Sequence, residues 1–483
     1  MSEHSTHAPA TIETLERELA QARAEADGLS RELTTLCTQA DAALEDLRRL
    51  VRKYQDVQQD SAATLARIAA IRTSNTWRMV EALRRLKRGL GMRSGAPAAT
   101  ARLVRDRPHG EIPDFVRTAP LGVNVSGYLD TESGMGEAAR GSIRSLEASG
   151  IPVALNNVMS RLRKQDQTYT KAFGRANPHP FNLVHLNADN MGWFAEERGS
   201  AYFRDRYTIG YWFWELSDFR HEWIPFFDYV DEVWAATEFM RESYAKFSPV
   251  PVVRVPLPIV LPPVPSLGRS HFGIPPNGTV FLYVFDVSSQ MERKNPIGAI
   301  RAFRRAGFAR GTATLVLKFT NAEYDRDAVK QIINETQGLD VRILDGYMDR
   351  AELCALLNTA DCYFSPHRSE GFGLTLLESM KLGKPVIATH YSGNVDFMND
   401  ENSFPLPYRL ITLERDYGPY MRGATWADPD LEEAARLMRL VVERPEIARA
   451  RGERARAQVD RERDPAVTGV AVRDRLEQIR TNR

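Results

Sequence analysis

The chain has 483 residues, 43% of them apolar and 26% charged, which suits two to four domains with buried cores and excludes wholesale disorder. Its 64 Lys and Arg against 63 Asp and Glu leave a formal charge of +1, so no global field recruits nucleic acid or an anionic membrane. The three cysteines (Cys37, Cys354, Cys362) are unpatterned, which argues against a disulfide framework or zinc site and fits a reducing compartment; no apolar run is long enough for a secretory signal or membrane span, so the cytoplasmic side is the default.

Residues 1–11 read as a disordered tail. From Ile12 a 3.5-residue period begins. Ile12, Leu19, Ala26, Leu33, Ala40, Leu47, Tyr54, Ser61 and Ile68 form one series, and Leu15, Ala22, Leu29, Leu36, Ala43, Leu50, Val57, Thr64 and Ile71 the other. Sixteen of these eighteen positions are apolar without a slip of register, which predicts a coiled coil over 12–72. A homo-oligomer is the expected product, although the seam does not specify the partner. Residues 72–107 then carry a local charge of +8, with Trp77, Val80, Leu83, Leu86 and Leu90 near helical spacing among Arg78, Arg84, Arg85, Lys87 and Arg88. Two readings of this basic amphipathic helix stay open: a helix on an anionic membrane at the inner face of the cell membrane, or one docked on its own domain. With its linker it occupies 73–112.

Beyond residue 120 strands and helices alternate. LGVNVSGYL (121–129), IPVALNN (151–157), FNLVHLN (181–187), YTIGYWFW (207–214) and DEVWAATE (231–238) read as buried strands, and eight prolines in 251–276 mark a boundary. A second block repeats the pattern at 279–289, 313–320, 341–346, 361–367 and 385–390, with amphipathic helices between. Near-continuous apolar strands alternating with helices imply parallel sheets covered on both faces. The expected class is α/β, with two facing Rossmann-like domains, 113–265 and 266–440, then a helical segment over 441–483. Ligands in such sheets sit beyond the strand carboxyl ends, so the cleft between the domains is the expected site.

The most informative stretch is SPHRSEGFGLTLLESMKLGKPVIATHYSGNVDFM (365–398). Glu370 lies just past a strand and Glu378 inside the next helix, with Gly371-Phe372-Gly373 between them to let backbone approach a ligand and open a helix N-terminus toward anions. Glu378 lies about 7.5 Å of helical rise past Gly373, so the two carboxylates can accept hydrogen bonds from the hydroxyls of one elongated, polyhydroxylated ligand. One strand–helix unit into the block, Arg293-Lys294-Asn295 precede a helix opened by Pro296, a cationic setting that neutralises a departing pyrophosphate without a metal.

The 365–398 stretch resembles the E-x7-E signature of retaining GT-B glycosyltransferases of family 4 (glycosyl transferases group 1), and the similarity extends from residue 121 to roughly 460. The resemblance implies a nucleotide-diphosphate sugar as donor substrate and no cofactor. It implies that Glu378 holds the ribose, that Glu370 contacts the transferred sugar with the N–H groups of Phe372 and Gly373, and that Lys294 meets the diphosphate. The family's usual Arg falls at Ser288 or Ser289 here, and Arg293 is the candidate substitute. In the first block Gly134 and Gly136, within SGMGE, are candidates for a glycine-rich loop against the phosphates. Asp189 is a candidate catalytic group, and Asn187 and Glu215 are candidates for the acceptor side. His185 reads equally as a site residue or a core histidine; Trp212 and Trp214 stack on acceptor sugars or, more simply, pack. The D-x-D of Asp325-Arg326-Asp327 sits at a helix start, where acids complement the dipole, so no metal site is expected.

The function so implied is transfer of a hexose, with retention, to a glycan or lipid-linked acceptor in cell-surface polysaccharide synthesis, with no nucleic-acid partner. The competing reading is a non-catalytic coiled-coil scaffold that keeps a sugar-nucleotide-binding fold; a phosphorylase would need a dedicated second phosphate site, which the sequence does not offer.

Overall fold

The computed structural model describes residues 107–159 and 168–481. The coiled-coil seam, Cys37 and the basic helix lie outside the described residues, and no described helix is long and apolar enough to cross a membrane.

The first sheet holds β1 (Val123–Gly127), β2 (Val153–Asn157), β3 (Phe181–His185), β4 (Tyr207–Tyr211), β5 (Glu232–Ala235) and β6 (Val252–Arg254), in the order β2-β1-β3-β4-β5-β6. Every pair is parallel. Both faces are covered, which is why successive residues on opposite sides of a strand are buried together: Asn124 with Val125, Asn182 with Leu183, Thr208 with Ile209 and Glu232 with Val233. β6 is an addition to the expected strands: only three residues long, it lies within the proline-rich segment and is too short to announce itself.

Helix α1 (Gly134–Ala148) follows β1. Ser133 caps it by accepting from the Gly136 N–H at 3.1 Å. A Cβ at Gly136 would lie 2.0 Å from the Thr131 carbonyl oxygen, so this glycine is required by the turn's own backbone. Gly134 faces open space. Thr237 likewise caps α2 (Glu238–Ala245).

The second sheet contains β7 (Thr279–Asp286), β8 (Ala313–Thr320), β9 (Val341–Asp345), β10 (Cys362–Ser365), β11 (Val386–Thr389) and β12 (Phe404–Leu406), ordered β12-β11-β10-β7-β8-β9. Counted from β7 this is the doubly wound order 6-5-4-1-2-3, so the direction of winding reverses between β7 and β10. Helices α3 (Pro296–Ala306), α4 (Arg326–Glu335), α5 (Arg350–Thr359) and α6 (Leu374–Lys381) connect these strands. After β11 the chain forms β12 and then an antiparallel hairpin, β13 (Tyr408–Thr412) with β14 (Thr425–Pro429).

Three helices close the chain: α7 (Leu431–Glu443), α8 (Pro445–Glu462) and α9 (Pro465–Thr481). The last returns to the first lobe. Thr468 Oγ1 lies 2.7 Å from Ser145 Oγ on α1, and a Cβ on Gly469 would sit 2.4 Å from the Ser145 carbonyl oxygen, so the two helices meet backbone to backbone. Arg475 on α9 reaches the fully buried Glu232 of β5. The C-terminal helices are thus shared between lobes: α8 packs on α6 of the second, α9 on α1 of the first.

Candidate active site

The winding reversal in the second sheet leaves the carboxyl ends of β7 and β10 side by side with their connections diverging, and the two loops there carry the charged residues. After β7 the chain makes a single helical turn, Met291–Lys294, and then Asn295 adopts a left-handed conformation (φ +56°). Asn residues tolerate this, and Asn295 uses it twice: its Oδ1 accepts from the Gly298 N–H at 3.1 Å, capping α3, while its Nδ2 donates to the Pro366 carbonyl at 2.8 Å in the loop after β10. The Arg368 N–H donates to the Arg293 carbonyl at 2.8 Å, tying the loops again.

The result is an ion cluster. Lys294 Nζ donates to Glu370 Oε1 in a short contact, and Arg293 Nη1 lies 3.3 Å from Glu370 Oε2. Burial would raise the Glu370 carboxyl, but Lys294, Arg293 and His367 outweigh it and hold the group at about 2. Burial pulls Lys294 below the ordinary lysine range, with Glu370 opposing. Arg293 is enclosed: Nη1 donates to the Ser369 carbonyl at 2.8 Å, Nη2 to the Ser289 carbonyl at 3.2 Å, and the guanidinium carbon is 5.8 Å from the Tyr420 ring centre. Lys294 thus meets a single protein acceptor through its ammonium, Glu370, whereas Arg293 is fixed by protein on several sides.

Glu215, a candidate for the acceptor side, joins this cluster. Its Oε1 lies 3.9 Å from Arg293 Nη2, and its Oε2 accepts from the Tyr420 hydroxyl at 3.0 Å. The first lobe also receives the loop after β10 directly. Ser369 Oγ donates to the Glu215 carbonyl, Thr237 Oγ1 donates to the Gly371 carbonyl at 2.9 Å, and a Cβ at Gly371 would lie 3.0 Å from the Trp214 carbonyl oxygen. Gly371 is thus one point of close contact between the lobes.

The loop that carries Glu370 is clamped from β11. The Glu370 N–H donates to Ser392 Oγ at 2.8 Å, the Gly393 N–H donates to the Glu370 carbonyl at 2.9 Å, and a Cβ on Gly393 would come within 1.9 Å of the Gly371 carbonyl oxygen. Gly393→Ala is expected to lower stability by about 1–3 kcal/mol, since overpacked backbone must shift. Denaturant unfolding measures this, and an unchanged midpoint contradicts it. Gly373, left-handed at φ +87°, opens α6, which has no side-chain cap; its first turn is a natural anion seat. Phe372 packs inward against Phe397.

Glu378 lies on α6 in a second cluster. Arg350 Nη1 is 2.7 Å from Glu378 Oε1, and its Nη2 is 3.3 Å from Glu137 Oε1 on α1. The two carboxylates share a neighbour: both Glu370 and Glu378 act on the Tyr363 hydroxyl of β10, which bonds Thr375 Oγ1 at 2.8 Å in the first turn of α6. Glu370 thus sits with Lys294 and Arg293, and Glu378 with Arg350 and Glu137.

The remaining candidates take other places. Asn187 accepts from the Phe213 N–H at 2.9 Å and so joins the ends of β3 and β4; Asp189 is exposed in the next turn and accepts from Asn190 at 2.9 Å. His185 is wholly buried, stacked on Tyr211 at 4.7 Å, and both ring nitrogens lack a hydrogen-bond partner; burial pushes its pKa down to about 3, so it stays neutral. Trp212 and Trp214 are buried in an aromatic cluster with Phe219, Trp223 and Tyr420, which favours packing over stacking on sugar. Asp325 caps α4 through the Ala328 N–H at 2.9 Å, and Asp327 pairs with Lys330 at 3.0 Å. Among the described residues no cluster of metal-ligating side chains occurs. Cys354 and Cys362 are buried, their thiols pushed up, Cys354 to about 12.

Three contributors were missed from the sequence: Tyr420, Ser392 and Arg350. Arg350 left a signal, because it occupies the first position of α5, where the helix dipole disfavours a cation. Tyr420 and Ser392 left none, since only the hairpin and the β11 loop bring them in.

Residues 271–458 match the glycosyl transferases group 1 family, so the second lobe and α8 carry a domain of that group. No curated protein matches the chain. Among solved structures, HepE of Anabaena in complex with UDP and glucose is 14% identical with a TM-score of 0.53, covering 74% of this chain and 100% of that one. Sucrose-phosphate synthase of Thermosynechococcus elongatus is 15% identical at TM-score 0.54 over 74% of this chain and 99% of its own. A glycosyltransferase of Rickettsia africae is 13% identical at 0.52, over 75% and 98%. At such identities the likeness is one of fold: two Rossmann-like lobes in the GT-B arrangement.

Proposed function

We propose that the protein is a retaining, metal-independent glycosyltransferase that moves a hexose from a nucleotide-diphosphate sugar to a glycan or lipid-linked acceptor in cell-surface polysaccharide synthesis. The observation that carries this reading is the convergence of Lys294 and Glu370 from the loops after β7 and β10, at the reversal of the second sheet. HepE, solved with UDP and glucose, shares the fold and supports a sugar nucleotide as donor.

The chemistry follows from the charges. Glu370 stays ionised across the physiological range and accepts hydrogen bonds from hydroxyls of the transferred sugar. Lys294 exchanges part of its bond to Glu370 for the diphosphate and neutralises the charge that grows as the anomeric C–O bond breaks. The uncapped first turn of α6 adds backbone N–H groups to the same anion. Arg293, held by Ser369, Glu215 and Tyr420, keeps Glu370 in place and supplies positive field. By front-face displacement the acceptor hydroxyl attacks on the side the diphosphate leaves, and its proton passes to the departing phosphate oxygen. In this reading residues 12–71 self-associate as a coiled coil and the basic segment over 77–90 meets the membrane, with the enzyme on the cytoplasmic side near lipid-linked acceptors.

The test is a panel of uridine, guanosine, thymidine and adenosine diphosphate sugars with the full chain, read first as a rise in melting temperature and then as turnover. At least one donor is expected to stabilise the protein and to be consumed when a lipid-linked or oligosaccharide acceptor is supplied. Stabilisation without consumption across acceptors would favour the scaffold.

A further inference from the structure

Arg350 stands where three parts of the molecule meet. Its Nη1 faces Glu378 of α6 at 2.7 Å, its Nη2 faces Glu137 of α1 at 3.3 Å, and the same Nη2 donates to the Val260 carbonyl at 3.3 Å in the segment joining the lobes. Glu378 is 1% exposed, so its charge depends on this guanidinium. Glu137 is already satisfied: Oε2 accepts from Arg140 at 3.0 and 3.2 Å and Oε1 from Arg144 at 2.7 Å. It serves as a fixed anchor from the first lobe that aims Arg350, and Arg350 in turn aims Glu378.

We propose that Arg350 is a positioning residue for the donor nucleotide, pairing with Glu378 and orienting it so that the carboxylate reads the ribose hydroxyls. This rests on the donor-site reading above. The groups facing Glu378 are Arg350 and Cys354 from α5, Tyr363 from β10 and Glu137 from α1. Burial raises the Glu378 carboxyl and Glu137 adds to the rise, while Arg350 opposes both. Without Arg350 the carboxyl therefore ionises only at higher pH, and a protonated carboxyl accepts more weakly.

The experiment is calorimetric titration of the full chain with uridine, guanosine and adenosine diphosphates and their 2′,3′-dideoxy counterparts. Wild-type protein is expected to favour the ribose form by about tenfold, the ratio one charge-assisted hydrogen bond gives. In Arg350→Gln the ratio falls toward one at pH 7 while the dideoxy form binds as before, and it returns as pH rises to 9. Arg350→Lys keeps the ratio; if the Gln variant does not fold, loss of the ratio in the Lys variant overturns the proposal. A Gln variant that keeps the full ratio, or that loses both forms equally, also overturns it. A wild-type protein that binds the diphosphates without ribose preference defeats this inference alone, whereas one that binds none of them defeats the donor-site reading and this inference with it.

Discussion

Lys294→Ala is expected to reduce sugar transfer by about 10²–10³-fold with the fold intact, the scale on which loss of one donor to a developing anion is felt. Lys294 is the cation in the cluster whose ammonium is not pinned by several protein acceptors, so its work is available to a ligand. Arg293 cannot replace it, since its guanidinium is committed to Ser369, Ser289 and Glu370. The companion variant Glu370→Gln carries a pH signature. In wild type Glu370 raises the Lys294 pKa against burial and against Arg293, both of which lower it. Removing the carboxylate leaves only the weaker pull of Glu215 against burial and Arg293, so the ammonium loses its proton at lower pH than in wild type. As pH rises, donor affinity in Glu370→Gln should therefore begin to fall at lower pH than in wild type. Initial rates against donor concentration at several pH values measure both effects; full turnover in the two variants would remove the assignment.

Arg475→Ala is expected to destabilise the protein by about 3–5 kcal/mol, because it strips the partner from a buried carboxylate. Glu232 has no exposed surface on β5; it accepts from Trp234 Nε1 at 2.7 Å and from the Tyr207 hydroxyl at 3.2 Å, and Arg475 is the cation that balances it. The contact also fastens α9 to the first lobe, so its loss should loosen the C-terminal helix before the sheets unfold. Thermal unfolding and amide hydrogen exchange over 465–481 read the two consequences. The paired variant Glu232→Gln with Arg475→Ala should recover part of the loss, because the uncompensated charge is gone; a melting temperature unchanged by Arg475→Ala would contradict the argument.

The candidate site illustrates how far neighbours along the chain determine chemistry. Glu370, the glycines after it and Glu378 share one strand-loop-helix unit, so their relation is local and could be read directly. The Lys294–Glu370 pair spans 76 positions but was still legible, since alternating strands and helices fix where β7 and β10 end. The partition of Glu378 into a separate cluster was not legible. Its partners come from α5 and from α1 of the other lobe, and no local pattern encodes a contact across a cleft. Arg293 is similar: its residue type suggested phosphate binding, whereas its surroundings, Glu215 and Tyr420 included, make it part of the frame.

Apolar periodicity determined by itself the parallel sheets and the loops that carry charge, because strand burial and helix amphipathicity are properties of short segments. The tertiary structure alone decided that α9 belongs with the first lobe, that Gly136 and Gly393 are glycines for want of space beside a carbonyl, and that His185 is neutral core. Each of these depends on atoms distant in sequence arriving within a few ångströms, where sterics and desolvation act, and a linear pattern holds no record of such distances.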